Sequence, residues 1–162
     1  MDSPEAITLR PLAFNDLDSI ISLKGDVIKK PEFDPAVEKI LLEWALSKNP
    51  GLRDEYPMGF VLEHGGKIRG SVVLVPGRFL LRGKDVYGCC EIDLMVSEKY
   101  RFHGLKLLRE VWRSDIFPVV FATTPNKASF GIETALGAKA VDCSASKYVK
   151  VLDPGRYGSG SI

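Results

Sequence analysis

Residues 91–106, EIDLMVSEKYRFHGLK, bring together two kinds of side chain that could do chemistry. Glu91 and Asp93 stand two apart in a segment that reads as a strand, and residues two apart on a strand share a face. Two carboxylates on one face repel, which raises the pKa of at least one toward values useful for proton transfer at neutral pH. Farther along, Arg101, His103 and Lys106 surround Gly104, where helical spacing begins. The first N–H groups of a helix lack internal partners and carry the positive end of its dipole. A glycine at the tightest point of such a turn lets those amides approach a phosphate, with Arg101 and Lys106 supplying full charges. Plainer readings stand beside these: carboxylates that merely pair with a Lys or Arg, a glycine that relieves a bend, a surface histidine.

The elements around this stretch place it in the middle of a sheet. AITLRPL alternates as a first strand. Asn15 reads as the cap of a helix, with Asp18 completing a capping box, and Ile20, Ile21, Leu23 and Val27 form its apolar face. Asp34-Pro35 opens a second helix, along which Val37, Ile40, Leu41 and Trp44 recur at helical spacing. MGFVLEH, the turn GG and KIRGSVVLV read as a hairpin; a second turn at Arg82-Gly83-Lys84 leads into a strand ending at Val96. A helix from Gly104 to Ser114 follows, then FPVVFATT, apolar enough for a buried parallel strand. NKASFGIETALGA reads as a helix ended by Gly137, and KAVDCSASKYVKVL as a closing strand or two. The order predicts an α/β (α+β) fold: one mixed, mostly antiparallel sheet with helices on both faces and a right-handed parallel crossover from Val96 to Val119. Residues 1–152 form one domain on this reading, and 153–162 a mobile Gly/Ser-rich tail.

Composition narrows the function. Apolar residues make up 45% of the 162 and charged residues 27%, as in a globular domain. Lys plus Arg total 22 against 21 for Asp plus Glu, so charge gives no reason to expect nucleic acid. No apolar run approaches the roughly 20 residues of a membrane helix, and no secretory signal opens the sequence, so a cytoplasmic protein without membrane attachment is expected. Cys89 and Cys90 would point to opposite faces of a strand, a poor clamp for metal or disulfide. His64, ahead of GG, reads as a hairpin residue; neither histidine has a partner at metal spacing, and no metal is expected.

The turn resembles the acyl-CoA signature of the GCN5-related N-acetyltransferases: Arg or Gln, two residues, Gly, one residue, Gly or Ala. Arg101 and Gly104 match, while Lys106 stands where the family has a very small residue. PNKASFGIETALGAKAV resembles the family's second segment at Asn126, Ser129, Leu136 and Gly137; Ala138 replaces an aromatic and Glu133 a frequent tyrosine. The resemblance spans residues 6–150 in element order. It implies an acyl-CoA N-acyltransferase fold whose fourth and fifth strands splay around the pantetheine arm of acetyl-CoA. Backbone at Leu94, Met95 and Val96 would bond the arm, and Arg101, Phe102, His103, Gly104, Leu105 and Lys106 would hold the pyrophosphate. Asn126, Ser129 and Phe130 complete the implied cofactor contacts, with Glu91 or Asp93 as the base that deprotonates an amine. That amine is a small molecule or peptide, held by the two early helices and the loop NPGLRDEYPM. The three departures favour an alternative: a degenerate domain of this fold, inactive or half of a two-domain protein. Pairing of two copies as a homodimer stays open.

Overall fold

The computed structural model describes residues 6–112, 116–123 and 127–139. Within them one sheet runs in the order β1 (Thr8–Pro11), β2 (Gly59–His64), β3 (Lys67–Leu81), β4 (Lys84–Val96) and β5 (Val120–Ala122). The first four pair antiparallel and β5 lies parallel to β4, so the expected mixed sheet and parallel crossover are both present. Gly65 and Gly66 turn the first hairpin at φ 61° and 64°, the doubly positive geometry that matches strand twist. The second hairpin turns at Arg82 and Gly83.

Helices α1 (Leu17–Ile28) and α2 (Pro35–Glu43) cover one face of the sheet, and α3 (Gly104–Val111) covers the other; α4 (Lys127–Ala135) follows β5. Alternation along the strands decides which residue meets which helix. Val61 and Val73 pack with Leu17, Ile20, Leu42 and Leu46. Their neighbours Phe60, Leu62, Val72 and Leu74 pack with Leu107 and Val111 on the opposite side. Each such buried side chain contributes about 2 kcal/mol.

Two helix readings change in detail. The chain enters α1 through a 3-10 turn, Phe14–Asp16, and Asp16, rather than Asn15 or Asp18, organises it. Its Oδ2 accepts from the Ala13 N–H at 2.8 Å and from Arg10 Nη1 at 2.7 Å, while Oδ1 accepts from Arg10 Nη2 at 2.9 Å. Asp18 instead pairs with Lys39 on the surface. Asp34 does cap α2, accepting from the Ala36 N–H at 2.9 Å. Yet Val37, Ile40, Leu41 and Trp44 are all exposed, Ile40 by 66%, and the helix buries Leu42 with Ala45 and Leu46 beyond it. A widened π turn at Trp44–Lys48 accompanies that burial. Val27 of α1 is also exposed.

The Arg10 hydrogen bond holds the Asp16 carboxyl below its usual range against the opposing effect of burial, with the Ala13 N–H adding to the lowering. A lowered folded-state pKa stabilises above the unfolded value and is lost as pH falls through the folded one. Asp16→Ala should therefore cost about 1–2 kcal/mol at neutral pH. Thermal unfolding against pH checks it: the deficit should close in strong acid, and a constant deficit would show that the charge is irrelevant.

No helix among the described residues is long and apolar enough to cross a membrane. The expected closing strands, the 153–162 tail, Ser114 and Asn126 lie outside the described residues.

Candidate functional site

One edge of β4 is paired along its whole length with β3, down to Gly70 opposite Val96. The other edge is not. β5 pairs only with Cys89, Cys90 and Glu91, and among the described residues nothing takes up the edge of 92–96. Just beyond, the Ser97 N–H donates to the Arg69 carbonyl at 2.8 Å, and the chain winds into a 3-10 turn, Glu98–His103, that runs directly into α3. An open strand edge thus leads straight into the cationic turn. His64, expected only as a hairpin residue, ties that turn down: its Nδ1 lies 2.7 Å from the Tyr100 hydroxyl.

A bulge interrupts β4 at the start of the open edge. Val73 faces Ile92 and Ser71 faces Met95, so β4 spends three steps where β3 spends two. Asp93 absorbs the extra residue at φ 53°, a left-handed conformation. The bulge shifts the inside-outside phase: Cys89 packs on the α3 side, Ile92 on the α1–α2 side, then Leu94 and Val96 on the α3 side again. Glu91 and Asp93 therefore do not share a face. Asp93 Oδ2 accepts from Lys24 Nζ of α1 at 2.8 Å, whereas Glu91 Oε2 accepts from Trp112 Nε1, just past α3, at 3.0 Å. Strict period-two alternation fails here because the strand carries one residue too many.

The two carboxylates consequently live in different environments. Glu91 is 6% exposed, at the last β4–β5 rung, opposite Ala122. Burial pushes its pKa up to about 7; the Trp112 N–H opposes the rise, and the charge of Glu133 adds to it. Glu133 of α4 is itself only 4% exposed, and its Oε1 has no hydrogen-bond partner among the described residues. Burial raises its pKa too, against a hydrogen bond with Ser129. The repulsion expected between Glu91 and Asp93 exists, then, between Glu91 and Glu133.

At the turn, Arg101 and Lys106 are exposed, His103 and Leu105 half-buried, and Phe102 is 96% exposed. Gly104 does not sit in a tight bend: its φ of −57° and ψ of −32° are ordinary helical values. A Cβ there would come within 3.3 Å of Val96 Cγ2, so the glycine serves the close packing of α3 on the end of β4. Its N–H donates to the Arg101 carbonyl. Neither Ser97 nor His103 caps the helical turns that follow them with a side chain. Leu94, Met95 and Val96 are half-buried along the open edge, Phe130 is exposed, and Ser129 is buried beside Glu133.

Lys24 and Glu38 were not singled out by the sequence, although a lysine on the apolar stripe with Leu17, Ile20 and Ile21 is a signal of a buried ion pair. Burial pushes the Cys89 thiol up to about 12, so it stays protonated. Among the described residues no cluster of three His, Cys, Asp or Glu side chains is placed to hold a metal ion.

The fold as a whole has counterparts among solved structures. An acetyltransferase from Trypanosoma brucei superposes with a TM-score of 0.62 at 23% identity, over 90% of this chain and 100% of that one. A GCN5-related N-acetyltransferase from Ralstonia eutropha gives 0.63 at 13% identity, over 91% and 100%. The chain has the GCN5-related N-acetyltransferase fold. A predicted acetyltransferase of this fold from Clostridium acetobutylicum, solved with acetyl-CoA, gives 0.63 at 13% identity, over 90% and 96%. No protein-family model and no curated protein matches the sequence.

Proposed function

We propose that this protein is an acyl-CoA-dependent N-acyltransferase that moves an acyl group, acetyl in the first instance, to a primary amine. The observation that carries the reading is the edge of β4 over 92–96, unpaired among the described residues, running into a turn that exposes Arg101 and Lys106. Free N–H and C=O groups on a strand edge suit the amides of a pantetheine arm, which would add to the sheet as a strand does. Arg101 and Lys106 suit the pyrophosphate. The apex of the gap, at Glu91 and Ala122, would then receive the thioester.

Attack on a thioester requires an uncharged amine, and an alkyl amine with a pKa near ~10.4 arrives protonated. Of the two carboxylates, Glu91 is suited to take that proton, because its pKa of about 7 matches a base working at neutral pH. Asp93 is committed to Lys24. The amine nitrogen bonds to the thioester carbonyl carbon, the C–S bond breaks, and the leaving thiolate takes up the proton that the nitrogen sheds as it becomes an amide. α1, α2 and the following loop, which Asn49 pins to β3 through the Pro76 carbonyl at 2.9 Å, lie on the face opposite the Glu91 carboxylate, so an acceptor held there would reach Glu91 through the parting of β4 and β5.

Titration calorimetry with acetyl-CoA tests the reading. Arg101→Ala and Lys106→Ala should each weaken binding about tenfold and flatten its salt dependence. No heat and no thermal shift with the native chain would overturn it. A second reading, a binding domain of the same fold without catalysis, is favoured by the continuous helical winding from Glu98 into α3 and by Lys106 itself. On that reading Lys106 blocks the approach, and Lys106→Gly improves binding rather than weakening it.

A further inference from the structure

Lys24 is a costly residue where it stands. It lies on the buried stripe of α1, 7% exposed, and burying an ammonium forfeits its hydration unless partners replace it. Two do: Nζ lies 2.8 Å from Asp93 Oδ2 and 2.5 Å from Glu38 Oε2. Burial lowers the Lys24 pKa, but the hydrogen bonds to Asp93 and Glu38 outweigh it, and the group stays charged. One ammonium thus joins α1, α2 and the bulge of β4, three elements far apart in sequence. Asp93, at φ 53°, holds a conformation that residues other than glycine adopt rarely, and it does so in the middle of a strand.

We infer that Lys24 is a positioning residue: by gripping the Asp93 carboxylate it holds the β4 bulge, and the bulge sets the face and register of 94–96. With the bulge in place, Leu94 and Val96 face α3, Val96 pairs with Gly70, and the Ser97 N–H reaches the Arg69 carbonyl. Without it the strand must slip by one residue, which turns every later side chain to the other face. The open edge and the entry to the basic turn would be lost together. Glu38 contributes by keeping Lys24 charged and oriented. The consequence for ligand binding rests on the acyl-CoA reading; the hold on the bulge does not.

The experiment compares Lys24→Met, Asp93→Ala, Asp93→Gly and the double variant Lys24→Met/Asp93→Gly by amide hydrogen exchange and by acetyl-CoA titration. Lys24→Met and Asp93→Ala should each speed exchange at the Ser97 N–H at least about tenfold beyond the change at the Val73 N–H of the core, and weaken acetyl-CoA by a similar factor. Glycine takes the left-handed conformation without a clamp, so Asp93→Gly should stay close to the native chain, and adding it to Lys24→Met should restore protection at Ser97. If Lys24→Met does not fold, Lys24→Gln takes its place alone and combined with Asp93→Gly, because the contrast of Asp93→Ala with Asp93→Gly reads the backbone conformation and not the lysine. Equal protection in those two variants, or no rescue in the double variant, overturns the inference. If the native chain binds no acetyl-CoA, the exchange pattern still decides the clamp, and only the ligand assignment falls.

Discussion

Glu91→Gln is expected to make the protein more stable and less active under the same conditions. The stability half follows from linkage. The folded-state pKa of Glu91 is raised from 4.5 to about 7. Its contribution to stability is therefore full below the unfolded value, falls as pH rises through the folded one, and is lowest above it. A displacement of that size corresponds to about 3 kcal/mol of destabilisation at alkaline pH. Glutamine carries no charge to bury and keeps an oxygen for the Trp112 N–H, so the variant escapes most of that penalty. Thermal unfolding should put it above the native chain at about pH 8 and level with it at about pH 4. The activity half follows from the proposed role: loss of a general base costs about 100-fold or more in turnover. That deficit should shrink as pH approaches the pKa of the amine. A variant that gains stability but keeps full turnover would leave Glu91 a strained structural group and send proton removal elsewhere.

The reason both halves meet in one residue was only partly written in the sequence. That a carboxylate on this strand would have a raised pKa was legible; which neighbour raises it was not. Alternation put Asp93 beside Glu91, and the bulge then carried Asp93 to the far side, against Lys24. A bulge usually announces itself by glycine. Here the left-handed position is held by an ion pair with a residue 69 positions away, and no local pattern encodes that. Glu133 arrives beside Glu91 from α4 in the same long-range manner. The exposed stripe of α2 has a similar lesson: helical spacing shows that a helix has an apolar face, not which way the face turns. Features with local causes were legible. Asp34-Pro35 caps a helix through one short hydrogen bond, and Gly65-Gly66 can turn both residues to positive φ, whereas the apolar run VVFA gave a parallel strand that is only half-buried among the described residues. At the basic turn the residue types were legible, but the assumed strain at Gly104 was absent, because a missing side chain can serve close packing as well as a bend.

Gly88→Val is expected to detach β5 and close the candidate site from below. Gly88 is buried in β4 one residue before the first β4–β5 rung, where the Cys89 N–H donates to the Val119 carbonyl at 2.9 Å. A Cβ on Gly88 would fall 2.6 Å from that carbonyl oxygen and 3.0 Å from Val119 Cβ. The oxygen belongs to the backbone, so it cannot turn aside as a side-chain tip can. Either β4 bends or β5 moves out, and among the described residues β5, only Val120–Ala122, pairs with no strand but β4. Overpacking of a well-filled core costs about 1–3 kcal/mol, and a clash with backbone belongs at the upper end or above it. The parting of β4 and β5 starts from these rungs, so acetyl-CoA binding should disappear even where the rest of the sheet survives. Gly77, facing Gly88 across the β3–β4 ladder, supplies the control: a Cβ there would meet only the Phe79 ring, at 3.6 Å. Gly77→Ala should change stability by less than about 1 kcal/mol. Urea unfolding of the two variants, with acetyl-CoA titration of whatever folds, makes the comparison. Native stability in Gly88→Val would mean that β5 is not held against β4 at this spacing, and the gap would lose its fixed apex.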